Sequence, residues 1–341
     1  DVMGKGIPAA RVGAATKSQF LRAIGRRTGP FARRRIPSPE EIVGLVHSQV
    51  TRQLIDLDSF ATACYARFNG LLESAHIVDC GHTRTIQYVR STGLCAMLKG
   101  DNMPLGFSEG EVYRQFSVPF EKGDLFLFYS DGLTEARNIN GEPFGEERLS
   151  DCLVRYNRFD PDQIVRNIRR DVTVFSASEQ LADDMTCIVV KVAGDEVVPV
   201  LADELEITSS LGNLARVRAF VREVCRRLPG ADVDELVGSE LELSLNEAAA
   251  NVIRHAYHGL EDHPIQIKAR YTGGWLIFEL NHFGDPFNPN ESPPVVFDGS
   301  RDSGFGLFII DQLVDEVAYL TDESRRSSIR LVKRIESGFP E

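Results

Sequence analysis

The sequence predicts a two-domain α+β protein, and three observations carry that expectation. Apolar stretches of alternating character, bounded by Gly, Asn and Asp, come in blocks, as do the helical stretches. That grouping fits antiparallel hairpins in a layered sandwich better than a parallel sheet. At 341 residues the chain exceeds what one hydrophobic core usually organises. A change of character in 194–206, acidic and Pro-containing without clear periodicity, reads as a linker, set at 194–204.

From 7 to about 24 the pattern is helical, and Ala9, Ala10, Ala14 and Ala15 allow close packing. A second helix starts at Ser38-Pro39-Glu40-Glu41, where Ser38 can cap, Pro39 suits the first turn and Glu41 can close a capping box. It runs to 54 or beyond. Strands follow in hairpin rhythm at 60–68, 74–79 and 86–90, with turns at Asn69-Gly70 and Gly81-His82. Further strands are expected at 111–118 and 125–129. A capped helix at Asp160-Pro161-Asp162-Gln163 leads to a strand that opens at Asp183. Beyond the linker, 211–228 and 234–257 read as long amphipathic helices, followed by strands at 265–271 and 275–281. A Pro/Asn/Ser-rich loop, 283–294, precedes Gly304-Phe305-Gly306-Leu307, a helix through 313 and a last strand at 328–333. There is no internal repeat or low-complexity tract.

Hydrophobic content of 43% and charged content of 26% are those of a globular protein. With 38 basic against 50 acidic residues the net charge is −12, which argues against a general nucleic-acid binder. The local exception, Arg22, Arg26, Arg27, Arg33, Arg34 and Arg35, reads as a solvated helix end and loop or as a contact for an acidic partner. No apolar run reaches the roughly 18 residues of a membrane span and no signal-like segment is present, so a cytoplasmic location is expected. The six cysteines are scattered in apolar stretches without a C-x-x-C pair, as buried reduced thiols are.

Three acidic motifs carry most of the chemistry: Asp1-Val2-Met3-Gly4-Lys5-Gly6, Tyr129-Ser130-Asp131-Gly132 and Asp183-Asp184-Met185-Thr186. In the second, an apolar strand stops at an Asp-Gly turn and sets a carboxylate at a sheet rim. In the third, the acid pair precedes the apolar run. Any one Asp-Gly pair is an ordinary turn. Together, carboxylates gathered at sheet rims suit hard cations such as Mg²⁺ and Mn²⁺, and a two-metal cluster can clamp phosphoryl oxygens for in-line attack.

Residues 1–193 resemble the catalytic domain of the metal-dependent PPM-type protein phosphatases, in the bacterial SpoIIE/RsbU branch. The resemblance rests on the three motifs together with Asp79-Cys80-Gly81-His82, Met103-Pro104-Leu105-Gly106 and Phe144-Gly145-Glu146-Glu147-Arg148-Leu149. It implies an α-β-β-α sandwich with a binuclear Mn²⁺ or Mg²⁺ site held by Asp1, the Val2 carbonyl, Asp131 and Asp183, with Asp184 beside it. It also implies hydrolysis of phosphoserine or phosphothreonine. The family has a further acidic ligand upstream of the first motif and the sequence has none, so the resemblance implies a chain that begins inside the domain, with weak or no activity. His82 reads either as a catalytic group or as part of a hairpin turn.

Glu247, Asn251 and His255 stand at i, i+4 and i+8, which places them on one helix face. Alone that is a solvated stripe, and Gly304-Phe305-Gly306 alone is a common loop. In combination, 205–335 resemble the histidine-kinase-like ATPase fold, an α/β sandwich, of the anti-sigma-factor serine kinases of the RsbW/SpoIIAB type. The resemblance implies ATP with Mg²⁺, Asn251 holding the metal, Glu247 as general base for a substrate serine, and Gly304 and Gly306 approaching the phosphates. His255, His282 and Gly284 complete the expected nucleotide contacts. The family's adenine motif is D-x-G-x-P-F, and here the stretch is His282-Phe283-Gly284-Asp285-Pro286-Phe287. Losing a hydrogen bond to a charged acceptor costs roughly 1.5–3 kcal/mol, or about tenfold or more in ATP affinity. Asp285 is adjacent, but strand alternation points it elsewhere.

The resemblances imply a regulator in a partner-switching pathway. Its partners would be a phosphorylated STAS-domain (anti-anti-sigma) protein, a sigma factor and a second copy of the chain. Two alternatives stand beside it: a C-terminal domain that only binds a sigma factor or STAS protein, and a scaffold without activity.

Overall fold

The computed structural model describes residues 2–3, 7–24, 37–177, 184–194, 199–228, 233–286, 305–322 and 325–335. The chain divides into two compact units. The first holds Asp1–Arg67, Ala75–Phe116 and Phe120–Gly194; the second holds Phe68–Ser74, Ser117–Pro119 and Asp195–Glu341.

Along the N-terminal part of the chain, α1 (Ile7–Ile24) and α2 (Pro39–Asp56) are followed by β1 (Ala63–Asn69), β2 (Ser74–Cys80), β3 (Thr85–Val89), β4 (Leu94–Leu98), β5 (Phe116–Pro119) and β6 (Leu125–Tyr129). Then come the short α3 (Asp131–Thr134), α4 (Gly145–Tyr156), α5 (Pro161–Ser176) and β7 (Cys187–Lys191). One sheet has the order β1-β2-β5 and the other β4-β3-β6-β7. Ile42, Val43, Val46, Val50 and Leu54 of α2 pack with Val78 and Cys80 of β2. Leu149, Leu153, Ile164, Ile168 and Val172 of α4 and α5 pack on Ile86, Leu125, Leu127 and Tyr129 of the second sheet. β2 is buried along its whole length, and the Cys64 thiol and Thr85 hydroxyl meet at 3.7 Å between the two sheets. Helix, sheet, sheet, helix is thus the layer order, as expected.

Local chemistry explains the helix starts. Ser38 accepts from the Glu41 amide at 3.3 Å while Glu41 accepts from the Ser38 amide at 2.7 Å, the reciprocal box expected at α2. Asp160 and Gln163 repeat it at α5.

Other expectations are corrected. The strand expected at 111–118 is present only as β5, because the amides of Arg114 and Gln115 are taken by the side chains of Asn102 and Glu40 rather than by a neighbouring strand. The β1–β2 connection is a four-residue turn rather than a two-residue Asn-Gly one, since the Asn69 side-chain oxygen accepts from the amides of both Leu71 and Leu72. β4 and α4 have no counterpart in the sequence reading.

The second unit contains β8 (Leu201–Thr208), α6 (Leu214–Arg226), α7 (Glu235–Asn251), β9 (Pro264–Thr272), β10 (Trp275–His282), α8 (Phe305–Leu313), β11 (Glu316–Thr321) and β12 (Ser327–Arg334). The sheet order is β11-β12-β10-β9-β8. β8 begins inside the run read as a linker: it pairs antiparallel with β9 from Leu201↔Tyr271 to Thr208↔Pro264. Glu204 and Glu206 occupy the exposed alternate positions and Asp203 stands among the inward ones, which masks the period of two. The three helices cover one sheet face through Val217, Val221, Leu241, Leu245, Ala248 and Ile310, set on Ile267, Leu276, Phe278, Leu280 and Leu331. On the opposite face Ile277, Ala318, Leu320 and Val332 cluster.

The helix expected over 234–257 changes pitch. After Asn251 a π turn runs over Val252–Ala256, closed where the Tyr257 amide donates to the Val252 carbonyl five residues back at 3.0 Å. Among the described residues no helix is long and apolar enough to cross a membrane. The six cysteines are free, Cys80 and Cys152 buried and the others half-buried.

The capping box at α5 gives a direct test. Asp160→Ala should cost about 1 kcal/mol, read as a lower denaturant midpoint for the unit that holds α5; an unchanged midpoint would refute the contribution of the cap.

Candidate functional site

A cleft of about 380 Å³ in the first unit is lined by Val2, Met3, Phe60, Thr62, Gly81, His82, Thr83 and Asp131. Backbone pairing brings the start of the chain to it: Val2 bridges Ala61, and the Met3 amide donates to Phe60 O at 2.9 Å. Asp131 arrives from the other sheet as the first residue of α3, where β6 ends. Asp131 is exposed to the cleft.

The Gly81-His82 turn is built for its place. Gly81 has φ +68, and a Cβ on it would stand 2.8 Å from the Pro104 ring, so only glycine fits. The His82 amide donates to the Asp79 carboxylate at 2.9 Å and the Gly100 amide to its other oxygen at 3.2 Å. Burial raises the Asp79 pKa, and these two amides oppose the rise. The His82 ring shares a 3.0 Å hydrogen bond with Thr62 through Nδ1. Burial lowers its pKa, against the pull of the Asp79 and Asp131 carboxylates.

Ser130, buried just before Asp131, links the second acidic motif to the third. Its hydroxyl donates to Asp184 O at 3.1 Å and accepts from the Thr186 amide at 2.9 Å, while its own amide donates to Thr186 O at 3.1 Å. Asp184 is exposed beside this clip. Asp1, Gly4 to Gly6 and Asp183 lie outside the described residues. Among the described residues no group of three His, Cys, Asp or Glu side chains stands close enough to hold a metal ion. The donors that are described, the Asp131 and Asp184 carboxylates and the Val2 carbonyl, are all oxygen and fit a hard divalent cation by type.

In the second unit Gly306, in the first turn of α8, lies against α7. A Cβ on it would stand 3.1 Å from Glu247 Oε2 and 3.4 Å from Asn251 Nδ2. Glu247, Asn251 and Gly306 are therefore brought together, while Gly304 lies outside the described residues. His255 falls in the π turn and is exposed. Gly284 touches the same turn, where a Cβ would meet Ala256 O at 2.5 Å, and the Asp285 amide donates to that carbonyl at 2.9 Å. Asp285 itself pairs with His258 at 2.8 Å on the surface. His282 ends β10 fully buried, edge-on to Tyr257 at 6.0 Å. The Tyr257 hydroxyl donates to Pro264 O and accepts from the Phe283 amide, each at 2.9 Å.

Residues 1–193 match the family of stage II sporulation protein E, SpoIIE. The chain belongs to the SpoIIE family. Residues 207–333 match the histidine kinase-like ATPase domain, so a SpoIIE phosphatase-type domain is followed by an ATPase-type domain. Phosphoserine phosphatase RsbU of Bacillus subtilis (strain 168) is 29% identical over 196 residues, which cover 56% of this chain and 53% of RsbU. Serine-protein kinase RsbW of Staphylococcus epidermidis is 29% identical over 146 residues, covering 38% of this chain and 87% of RsbW. The solved RsbU and RsbW domains of Rv1364c from Mycobacterium tuberculosis are 18% identical, with a TM-score of 0.44, over 98% of this chain and 83% of that one. The chain thus spans about half of the RsbU relative's length.

Within this SpoIIE-family chain, sequence reading names Asp131, Asp184, Glu247 and Asn251 but gives Ser130, Thr62 and Thr83 no role. Ser130 is legible only as a motif neighbour. Thr62 and Thr83 carry no sequence signal, because only the fold brings them to the cleft.

Two substitutions probe these junctions. Ser130→Ala leaves the Thr186 amide without its acceptor, an expected loss of about 1–3 kcal/mol, and amide exchange at Thr186 should accelerate; unchanged protection would remove the clip from the account. Gly284→Ala drives a methyl into the Ala256 carbonyl and should destabilise the second unit by about 1–3 kcal/mol in urea unfolding, with a neutral result contradicting the close approach.

Proposed function

We propose that this chain is a metal-dependent phosphoserine/phosphothreonine protein phosphatase whose C-terminal domain binds ATP, and that it regulates a partner-switching pathway. The single observation that carries the reading is the convergence of Val2, Asp131 and His82 on one cleft, with Asp184 tied to Asp131 through Ser130. Residues 1–193 carry phosphate release in this reading, and the unit that contains β8 to β12 carries nucleotide binding. Asp131, the Val2 carbonyl, Asp1 and Asp183, with Asp184 beside them, would hold Mn²⁺ or Mg²⁺. When bound, such ions supply an activated water and neutralise phosphoryl oxygens.

The chain's own residues do the rest. Asp131, exposed at a helix start, meets a phosphoseryl loop without that loop having to enter the core. The Asp79 carboxylate holds the His82 backbone, and Thr62 holds its ring toward the cleft. The substrate proposed is a phosphorylated STAS-domain protein, consistent with the similarity to RsbU, a phosphoserine phosphatase, and to RsbW, a serine-protein kinase.

In the C-terminal domain Glu247 and Asn251 would act on the transferring phosphate and its magnesium, with Gly306 leaving room for both. A second reading, a domain that binds a sigma factor or STAS protein without phosphoryl transfer, is favoured by His282 at the position of the adenine-binding aspartate.

Phosphate release from a phosphoserine STAS protein should require Mn²⁺, stop with a chelator and return when metal is restored. Asp131→Asn should lower it by at least about 100-fold; equal release from the variant would sink the assignment. For the C-terminal domain, Glu247→Gln should abolish transfer of the ATP γ-phosphate to a STAS serine while leaving ATP affinity within about twofold. Wild-type ATP binding without any transfer would decide for the binding module.

A further inference from the structure

His282 is the last residue of β10, and strand alternation puts it on the face of Leu276, Phe278 and Leu280, which the helices cover. It is 1% exposed, and its Nδ1 is buried with no hydrogen-bond partner among the described residues. Buried polar atoms are nearly always paired, so an orphan on a built layer marks a place that something else completes. Burial alone pushes the ring's pKa down to about 4, so at neutral pH it carries no charge. The ring is fixed rather than loose: Tyr257 stands edge-on to it, and the next amide, that of Phe283, is held by the Tyr257 hydroxyl. Two residues on, Gly284 lies on the Ala256 carbonyl at the end of the π turn that starts after Asn251. The orphan nitrogen therefore belongs to the same helix-and-sheet layer as the Glu247, Asn251 and Gly306 group.

We propose that His282 reads the nucleobase of a bound nucleoside triphosphate, and that it admits guanine as readily as adenine. The proposal rests on the reading that the C-terminal domain holds a nucleotide. A carboxylate at this position would be acceptor-only: it matches the exocyclic amino group of adenine and is unpaired against the keto oxygen of guanine. A neutral imidazole has one proton for two nitrogens. With the proton on Nε2, Nδ1 accepts from the adenine amino group; with the proton on Nδ1, it donates to the guanine O6. No covalent change is involved, only the choice of tautomer.

The test is calorimetric titration of the full chain with MgATP, MgGTP and, as a probe without a base, magnesium tripolyphosphate. The wild type should bind ATP and GTP with dissociation constants within about tenfold of each other, and both more tightly than tripolyphosphate. His282→Asp should restore a preference for ATP of about tenfold or more. Should a buried carboxylate at this position prevent folding, His282→Leu carries the test, since an apolar side chain suits a covered strand. It should weaken both nucleotides by about fivefold and leave tripolyphosphate unchanged.

A wild-type preference for ATP beyond tenfold overturns the proposal, as does an ATP/GTP ratio that His282→Asp leaves unchanged or equal losses for tripolyphosphate in His282→Leu. In those cases nucleotide binding itself still stands. If wild type and folded variants bind no nucleotide at all, the underlying reading of the domain falls and the proposal with it.

Discussion

The buried hydroxyl of Ser130 does what no carboxylate in the first unit can do for itself. Carboxylates brought near one another repel, and a rim of exposed Asp residues has no intrinsic reason to stay gathered. Ser130 binds the end of β6 to the stretch before β7 through one bond that it donates and one that it accepts, while its own amide adds a third. Two segments more than fifty positions apart in sequence are thereby held in register at the sheet rim. Asp131 and Asp184, one on each of the joined segments, are both exposed at that rim.

The second unit meets the same problem with backbone instead of hydroxyl. Gly306 gives α8 a smooth face where it meets Glu247 and Asn251, and Gly284 lets the end of β10 lie on the Ala256 carbonyl. Tyr257 then secures both sides, donating at the start of β9 and accepting at the end of β10. Polar groups that would be hard to bury singly are seated by removing side-chain bulk around them, so the layer stays packed without filling the space beside α7.

What the residues reveal before folding follows from which interactions are local. The capping boxes at Ser38 and Asp160 were legible because a cap is written within four residues. Strands β2, β6, β9 and β10 were legible from apolar patterning. β8 was not, because Glu204 and Glu206 alternate with its inward residues and the stretch reads as a solvated linker. The strand expected at 111–118 was shortened by two side chains, Asn102 and Glu40, that no local pattern announces. At the sites, Asp131, Glu247 and Asn251 stood out by type and spacing, whereas Thr62 and Thr83 reach the cleft only through pairing between distant segments. The π turn that holds His255 was not legible, because a change of helical pitch depends on tertiary packing.

That π turn has a consequence for how this helix can change over time. A π turn is an α-helix holding one residue too many, and the surplus lies between Asn251 and Tyr257. Substitutions alone keep the residue count, so they leave the surplus in place. The wide turn absorbs that surplus locally, whereas a residue added or lost elsewhere in α7 would turn Ala256 and Tyr257 about the axis, pulling the carbonyl away from Gly284 and the phenol away from β9 and β10 together. The stretch is thus constrained in its length as well as in its side chains, since Val252, Ile253, Ala256 and Tyr257 are all buried.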